Sequence, residues 1–328
     1  MQRFKNILCT ITPDANDSVA LARAAALAGN NQASLTVMEV IDDIPPNTKL
    51  IERLLSAEEL QAKMVAEHEK KLKTLVAPWA KKYDIHTKIQ TGIPFLKTIH
   101  EVLRHQRDLV VKTAESSSPL DRLFGSDDMH LLRKCPCPVW LVKPTSAKTY
   151  RSIVAAVDVD DNYPPQALDT KHQLNLQIIE MASSLALSEF AELHIVHAWE
   201  AVGENAMRHA LVDTPKEKIS AYIDALRQQH QLNLNLLMNK VIQRLGQSTV
   251  EYLTPQTHLL KGPARQEIPA LADKVEADLV VMGTIARTGI PGLFMGNTAE
   301  TILNRIDCSV IAIKPPGFIT PVTLFTPS

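Results

Sequence analysis

The sequence predicts two tandem α/β domains, each a doubly wound parallel sheet of Rossmann-like type. Three observations carry that expectation: an internal repeat, a regular alternation of short apolar runs with longer helical patterns, and a glycine-rich link between a strand and a helix near the C-terminus.

The repeat comes first. FKNILCTITPD (4–14) aligns with YRSIVAAVDVD (150–160), and LTVMEVID (35–42) with LHIVHAWE (193–200). RDLVVK (107–112) aligns with ADLVVM (277–282), and LLRKCPCPVWLVKP (131–144) with ILNRIDCSVIAIKP (302–315). The order is preserved, so one domain is written twice: 1–147 and 148–316, joined near TSAKT (145–149), with an extended tail over 317–328. The length of 328 residues suits two domains that each bury a core.

Within the first half, ILCTI, LTVMEV, DLVVK and PVWLV read as strands by length and β-branched content. A long helix is predicted from about Ser56 to Lys82, opened by a capping box of Ser56 and Glu59. Its counterpart is predicted to start at Thr214, with Pro215 at the first helical position and Glu217 completing the box. A third strand of the second half is expected near THLLKG (257–262). Alternating strands and helices imply a parallel sheet covered on both faces, with ligands beyond the carboxyl ends of its strands.

Composition narrows the function. Hydrophobic residues make up 45% and charged residues 22%, an ordinary globular balance. The formal net charge of −1 supplies no basic field for nucleic acid or an anionic membrane. No stretch approaches the roughly 18 apolar residues of a membrane span. The apolar run after MQRFKN is too short for a signal-peptide core. Four thinly spread cysteines (Cys9, Cys135, Cys137, Cys308) suggest reduced thiols and a cytoplasmic location.

The most informative stretch is GTIARTGIPGLFMGNTAE, from Gly283 to Glu300, which holds four of the chain's 11 glycines. It follows the apolar run DLVVM and leads into a helical pattern. Glycine lets a ligand approach the backbone closely, and a helix N-terminus offers free N–H groups. Asn297 is expected as N-cap with Glu300 three residues on, so an anion site is expected just after Gly296. It is not a Walker loop, because no G-K-[ST] is present.

These residues resemble the universal stress protein family. Its nucleotide-binding members carry G-x2-G-x9-G-[ST] after the fourth strand; here the positions are Gly283, Ala286, Gly296 and Asn297. Both halves end their fifth strand in Lys-Pro (Lys143-Pro144, Lys314-Pro315). The tandem layout, with HLLRKCPCPVW in one half and GNTAE in the other, is similar to the E-type members of enteric and related bacteria. The resemblance implies an adenine nucleotide alpha hydrolase-like fold and a stress-response function. It implies ATP or a related nucleotide, with Mg2+, as a regulatory ligand of the second half. By position it assigns the contacts to Ala156, Val157 and Asp158 (A-V-D), Ala198 after His197, Met282, Gly283, Ala286, Gly296, Asn297 and Thr298. It further implies that the halves pair as an internal pseudo-dimer through PVWLV and SVIAI, with a further homodimer open.

The first half reads as nucleotide-incompetent. Thr12 stands at the Asp158 position and only Gly125 survives of the loop glycines. Ser126 is expected as N-cap, with Asp127 and Asp128 satisfying the helix dipole and repelling an incoming anion. Such a pocket is either structural or takes something apolar. Other patterns carry less. Cys135-Pro-Cys137 lacks the second ligand pair of a usual zinc site. His194 and His197 fall on opposite strand faces, with His197 near the cleft as packing. No G-x-S-x-G or paired carboxylates support a dedicated nucleophile, so hydrolysis would be slow at most. The Lys-Pro ends and acidic AVDVDD also occur in receiver domains, which need a third-strand Asp that THLLKG lacks. A ligand-free scaffold stays open as the alternative.

Overall fold

The computed structural model describes residues 4–12, 18–45, 56–115, 124–208, 215–284 and 295–324. The chain divides into two compact units, Met1–Lys148 with Ile319–Ser328, and Thr149–Phe318.

The first unit runs β1 (Asn6–Ile11), α1 (Ser18–Asn31), β2 (Ser34–Ile41), α2 (Ala57–Ala80), β3 (Ile85–Thr91), α3 (Pro94–His105), β4 (Leu109–Thr113), α4 (Ser126–Lys134) and β5 (Val139–Val142). Its strand order is β3-β2-β1-β4-β5, all parallel. The second unit runs β6 (Ser152–Ala156), α5 (Pro165–Glu189), β7 (Glu192–Trp199), α6 (Glu204–Arg208), α7 (Lys216–Leu245), α8 (Gln247–Leu253), β8 (Gln256–Lys261), α9 (Ala264–Lys274), β9 (Leu279–Gly283), α10 (Asn297–Leu303) and β10 (Ser309–Ile313). Its order, β8-β7-β6-β9-β10, is the same topology. In each unit the order reverses beside the first strand, which opens a crevice at the carboxyl ends.

The helix starts test the capping expectations individually. The capping box of α2 is present: Ser56 Oγ accepts from Glu59 N–H and Glu59 Oε2 from Ser56 N–H, both at 3.1 Å. At α7 the cap is Pro215 itself, with extended backbone, so the helix begins one residue later than expected. Thr214 lies outside the described residues. At α4 and α10 the caps are Gly125 and Gly296; Ser126 and Asn297 are already helical and cap nothing. The physical reason is shared: at both helices the glycine holds the extended cap geometry, which leaves the next residue inside the first turn.

Two repeated devices fix the strands and helix ends. Asp108 Oδ2 accepts from the backbone of Lys5 and Asn6 at 2.6 and 3.1 Å, and Asp278 Oδ2 from Arg151 and Ser152 at 2.6 and 3.2 Å. The aspartate of each D-L-V-V run thus pins the start of the neighbouring first strand. Left-handed residues close helices at equivalent places, Gln32 and Phe190, then Gln106 and Glu276, all with positive φ and none of them glycine. Phe190 is also 82% exposed. Phe190→Gly removes the left-handed strain and is expected to raise stability by about 1 kcal/mol in urea unfolding. An unchanged or lowered midpoint would show that the ring packs in a way its exposure conceals.

Candidate functional site

In the second unit the carboxyl ends of β7, β6 and β9 lie side by side. Ala156 closes β6, and Val157 continues it by donating its N–H to Val196 O at 2.9 Å. Both are buried. Ala198 sits on β7 and Met282, buried, on β9, which ends at Gly283. Gly296, Asn297 and Thr298 open α10, with the last two exposed. The two ends of the glycine loop are tied, because Gly296 N–H donates to Thr284 O at 3.0 Å. Lys314 Nζ, buried, donates to Thr284 Oγ1 at 2.5 Å. The fold therefore brings nine of the ten sequence-assigned residues to one edge; Ala286 lies outside the described residues, as do Gly289 and Gly292.

The two outer-loop glycines differ. A methyl group on Gly283 would lie 2.8 Å from Leu174 Cδ2, whereas one on Gly296 meets nothing within 4 Å. Gly283 is held partly by packing. Gly296 meets no such neighbour among the described residues.

Asp158 is more constrained than its place in an acidic loop suggests. Its carboxylate accepts from Asp160 N–H at 3.1 Å and from Lys171 Nζ at 2.5 Å. The Lys171 ammonium also stands 3.2 Å from the centre of the Tyr163 ring. Burial lowers the proton affinity of Lys171 and outweighs the pull of Asp158. The Asp158 backbone is held at both ends by Asn175, which accepts from its N–H at 3.1 Å and donates to its C=O at 2.7 Å. From the other side α7 supplies Gln229 to Asp161 Oδ2 at 3.2 Å and Asn233 to Val159 O at 3.0 Å. The loop 157–161 is clamped between two helices. Sequence reasoning missed Lys171, Asn175, Gln229 and Asn233. They lie 13 to 74 residues from the groups they hold, on helices whose only legible signal was apolar periodicity.

The histidines also depart from simple packing. His197 Nδ1 lies 3.4 Å from Val159 N and 3.3 Å from Val157 O, and its Nε2 lies 3.1 Å from His230 Nδ1. His194, on the opposite face, has Nδ1 3.1 Å from His258 Nε2. Burial lowers the proton affinity of His194, His197 and His258. Each then binds a proton more readily unfolded than folded. Their contribution to stability is complete above the unfolded value near 6.5 and is lost as pH falls below it. Urea midpoints should accordingly fall between about pH 7.5 and about pH 5.5. A rising midpoint would contradict the assigned burial.

The first unit fills the equivalent space with its own charges. Lys112, at the Met282 position, donates to Asp128 Oδ1 and Glu115 Oε1, both at 2.6 Å. Asp128, at the Ala299 position and fully buried, accepts the Glu115 backbone N–H through Oδ2 at 2.7 Å. Burial alone would depress Lys112, but the pull of the two carboxylates prevails and raises it. Burial likewise raises Asp128. Both groups are bonded in the geometry of a charged pair, and Asp128 accepts a backbone N–H that a neutral carboxyl oxygen would hold less well. Asp128 thus takes a loop donor rather than the helix dipole, which refines the expected role. A methyl group on Gly125 would lie 2.1 Å from the Glu115 carboxylate, so this surviving glycine seats Glu115. Thr12 is exposed at the end of β1. Cys135 and Cys137 are buried with sulfurs 3.6 Å apart. Among the described residues no group of three or more His, Cys, Asp or Glu is placed to hold a metal, and no helix is long and apolar enough to cross a membrane.

The sequence model of the universal stress protein family matches residues 3–143 and again 149–314. The chain is 32% identical over 333 residues to universal stress protein E of Escherichia coli K12, covering 99% of this chain and 98% of that protein. It is 30% identical over 332 residues to universal stress protein E of Photorhabdus laumondii, covering 98% of each. A solved structure of a functionally unknown protein of Pseudomonas aeruginosa superposes with a TM-score of 0.68 at 26% identity, covering 96% of this chain and 94% of that one.

Proposed function

The chain belongs to the universal stress protein family, and on that footing we propose that it acts in the stress response by binding ATP or a related adenine nucleotide in its second unit, as a regulatory ligand. One observation carries the proposal. At equivalent positions the first unit places the buried ion pair Lys112–Asp128, whereas the second places Met282 and Ala299, which bear no charge. A phosphate entering the first unit meets a carboxylate that already holds a loop N–H; in the second it meets neither.

The residues of the second unit suit the parts of such a ligand. Asp158, held but half-exposed, offers a carboxylate oxygen to a base or ribose donor at the end of β6. Gly283 and Gly296 flank the phosphate end. Asn297 and Thr298, exposed in the first turn of α10, supply an amide and a hydroxyl to outer phosphate oxygens. Mg2+ bound with the nucleotide would offset the negative charge of its phosphates. Among the described residues no group beside Gly283 and Gly296 is placed as a general base, and we propose binding rather than turnover, in a cytoplasmic protein. The first unit, on this reading, binds no nucleotide.

Gly296→Ala separates this proposal from a scaffold without a ligand. The added methyl has room, so stability should change by less than about 0.5 kcal/mol. Nucleotide affinity, measured by equilibrium dialysis on the intact chain, should fall at least about tenfold as the methyl enters the phosphate path. Unchanged affinity would place the phosphates elsewhere.

A further inference from the structure

We propose that the buried pair His197–His230 positions the loop 157–161 for its ligand and makes ligand affinity depend on protonation of that pair. The inference rests on the nucleotide reading above only for the identity of the ligand; the loop and its supports are independent of it.

The geometry is a relay from helix to loop. The Trp199 ring packs against His230 at a tilt of 30°, with ring centres 5.4 Å apart, and His230 Nδ1 meets His197 Nε2 at 3.1 Å. His197 Nδ1 faces both Val157 O and Val159 N, the backbone on either side of Asp158. Both imidazoles are buried, at 2% and 6% exposure. In the neutral pair one N–H lies between the rings. When His197 donates it to His230, His197 Nδ1 is free to accept from Val159 N–H. Adding a proton to His197 puts hydrogen on both of its nitrogens. Nδ1 can then only donate, to Val157 O, and Val159 N–H loses its acceptor. A second proton would set two N–H groups against each other across 3.1 Å. Acid should therefore loosen the segment that presents Asp158.

The charged groups around the pair are few. From the loop, Asp158 and Asp160 favour the protonated form; from α7, His230 opposes it; burial, the largest influence, opposes it too. Lys171 of α5 is engaged by Asp158, and Asp161 is held by Gln229. The strand neighbour of His197 on β8 is Leu259, which does not titrate. In the first unit Glu39 stands where His197 does and is 2.8 Å from His68 Nδ1, so the equivalent prop there is a carboxylate with different proton demands.

The test has two arms on the intact chain. The first follows hydrogen exchange of the Asp158, Val159 and Asp160 amides without ligand, from about pH 8 to about pH 5.5, corrected for intrinsic exchange. Protection should fall selectively at Val159 in acid. The second measures Mg–ATP affinity over the same range for the wild type and for His230→Gln, whose amide oxygen can still accept from His197 Nε2–H. Wild-type affinity should weaken towards acid by up to about tenfold per pH unit for one linked proton. The variant should bind at high pH with a shallower slope; titration of the nucleotide's own phosphate is common to both. Equal slopes, or Val159 protection indifferent to pH, would overturn the proposal. An acid-sensitive Val159 in a protein that binds no ATP at any pH would sustain the positioning role and overturn the nucleotide reading instead. If His230→Gln fails to fold, the amide arm on the wild type decides alone.

Discussion

Asp128→Ala is expected to cost the first unit about 3–5 kcal/mol, because it strands the Lys112 ammonium in a buried site. Glu115 stays within reach of Lys112, at 2.6 Å, so the lower end of that range is the sharper expectation. The paired replacement Lys112→Met with Asp128→Ala copies the second unit and leaves no charge behind. It should recover most of the loss, since an apolar pair of similar volume avoids the desolvation of both ions. Urea unfolding, with hydrogen exchange of the β4 amides to identify the unit, measures both. A single substitution costing less than about 1 kcal/mol would show that Glu115 alone satisfies Lys112. A double variant no better than the single would show that the shape of the pair, not its charge, matters.

The reverse transplant has the largest expected effect on binding. Met282→Lys with Ala299→Asp places the first unit's ion pair in the second. Methionine and lysine are close in volume, and Ala299 is buried as Asp128 is, so the pair has the same setting to form in. The new carboxylate would compete with a phosphate for the loop donors and repel it. A like charge so placed costs several kcal/mol, which corresponds to a loss on the order of 100-fold or more in nucleotide affinity. Equilibrium dialysis on the intact chain reads this, with the thermal midpoint as control for folding. Affinity kept within about threefold in a folded variant would put the phosphates away from β9 and α10.

The sequence made the fold legible because the fold is written in periodicities that repeat. The D-L-V-V runs, the Lys-Pro ends and the paired helix starts recur in register, and β-branched runs of five residues between long helical patterns leave few topologies. The site was legible where its chemistry is local. Gly283 and Gly296 announce themselves as glycines in a glycine-poor chain, and A-V-D marks the end of β6. What stayed hidden is tertiary. That Asp158 is clamped by Lys171 and Asn175 follows from α5 folding back over β6, and nothing in the spacing of 13 or 17 residues encodes it. The role of Asp128 was read as a dipole effect because its partner, Lys112, lies 16 residues away on another element. The helix caps were misassigned by one residue for a simpler reason. Asn297 and Ser126 are good cap residues that stand just after glycines already able to hold the cap geometry.

The contrast between the units also gives physical content to having two of them. One carries a buried, internally paired Lys112 and Asp128; the other has the uncharged Met282 and Ala299 at the same positions.

The stoichiometry of Mg–ATP binding to the intact chain decides whether the second unit holds the nucleotide. Isothermal titration should give one nucleotide per chain, abolished by Met282→Lys with Ala299→Asp and untouched by Lys112→Met with Asp128→Ala. No binding at millimolar nucleotide, or a single site that survives the first pair of substitutions and disappears with the second, would contradict it.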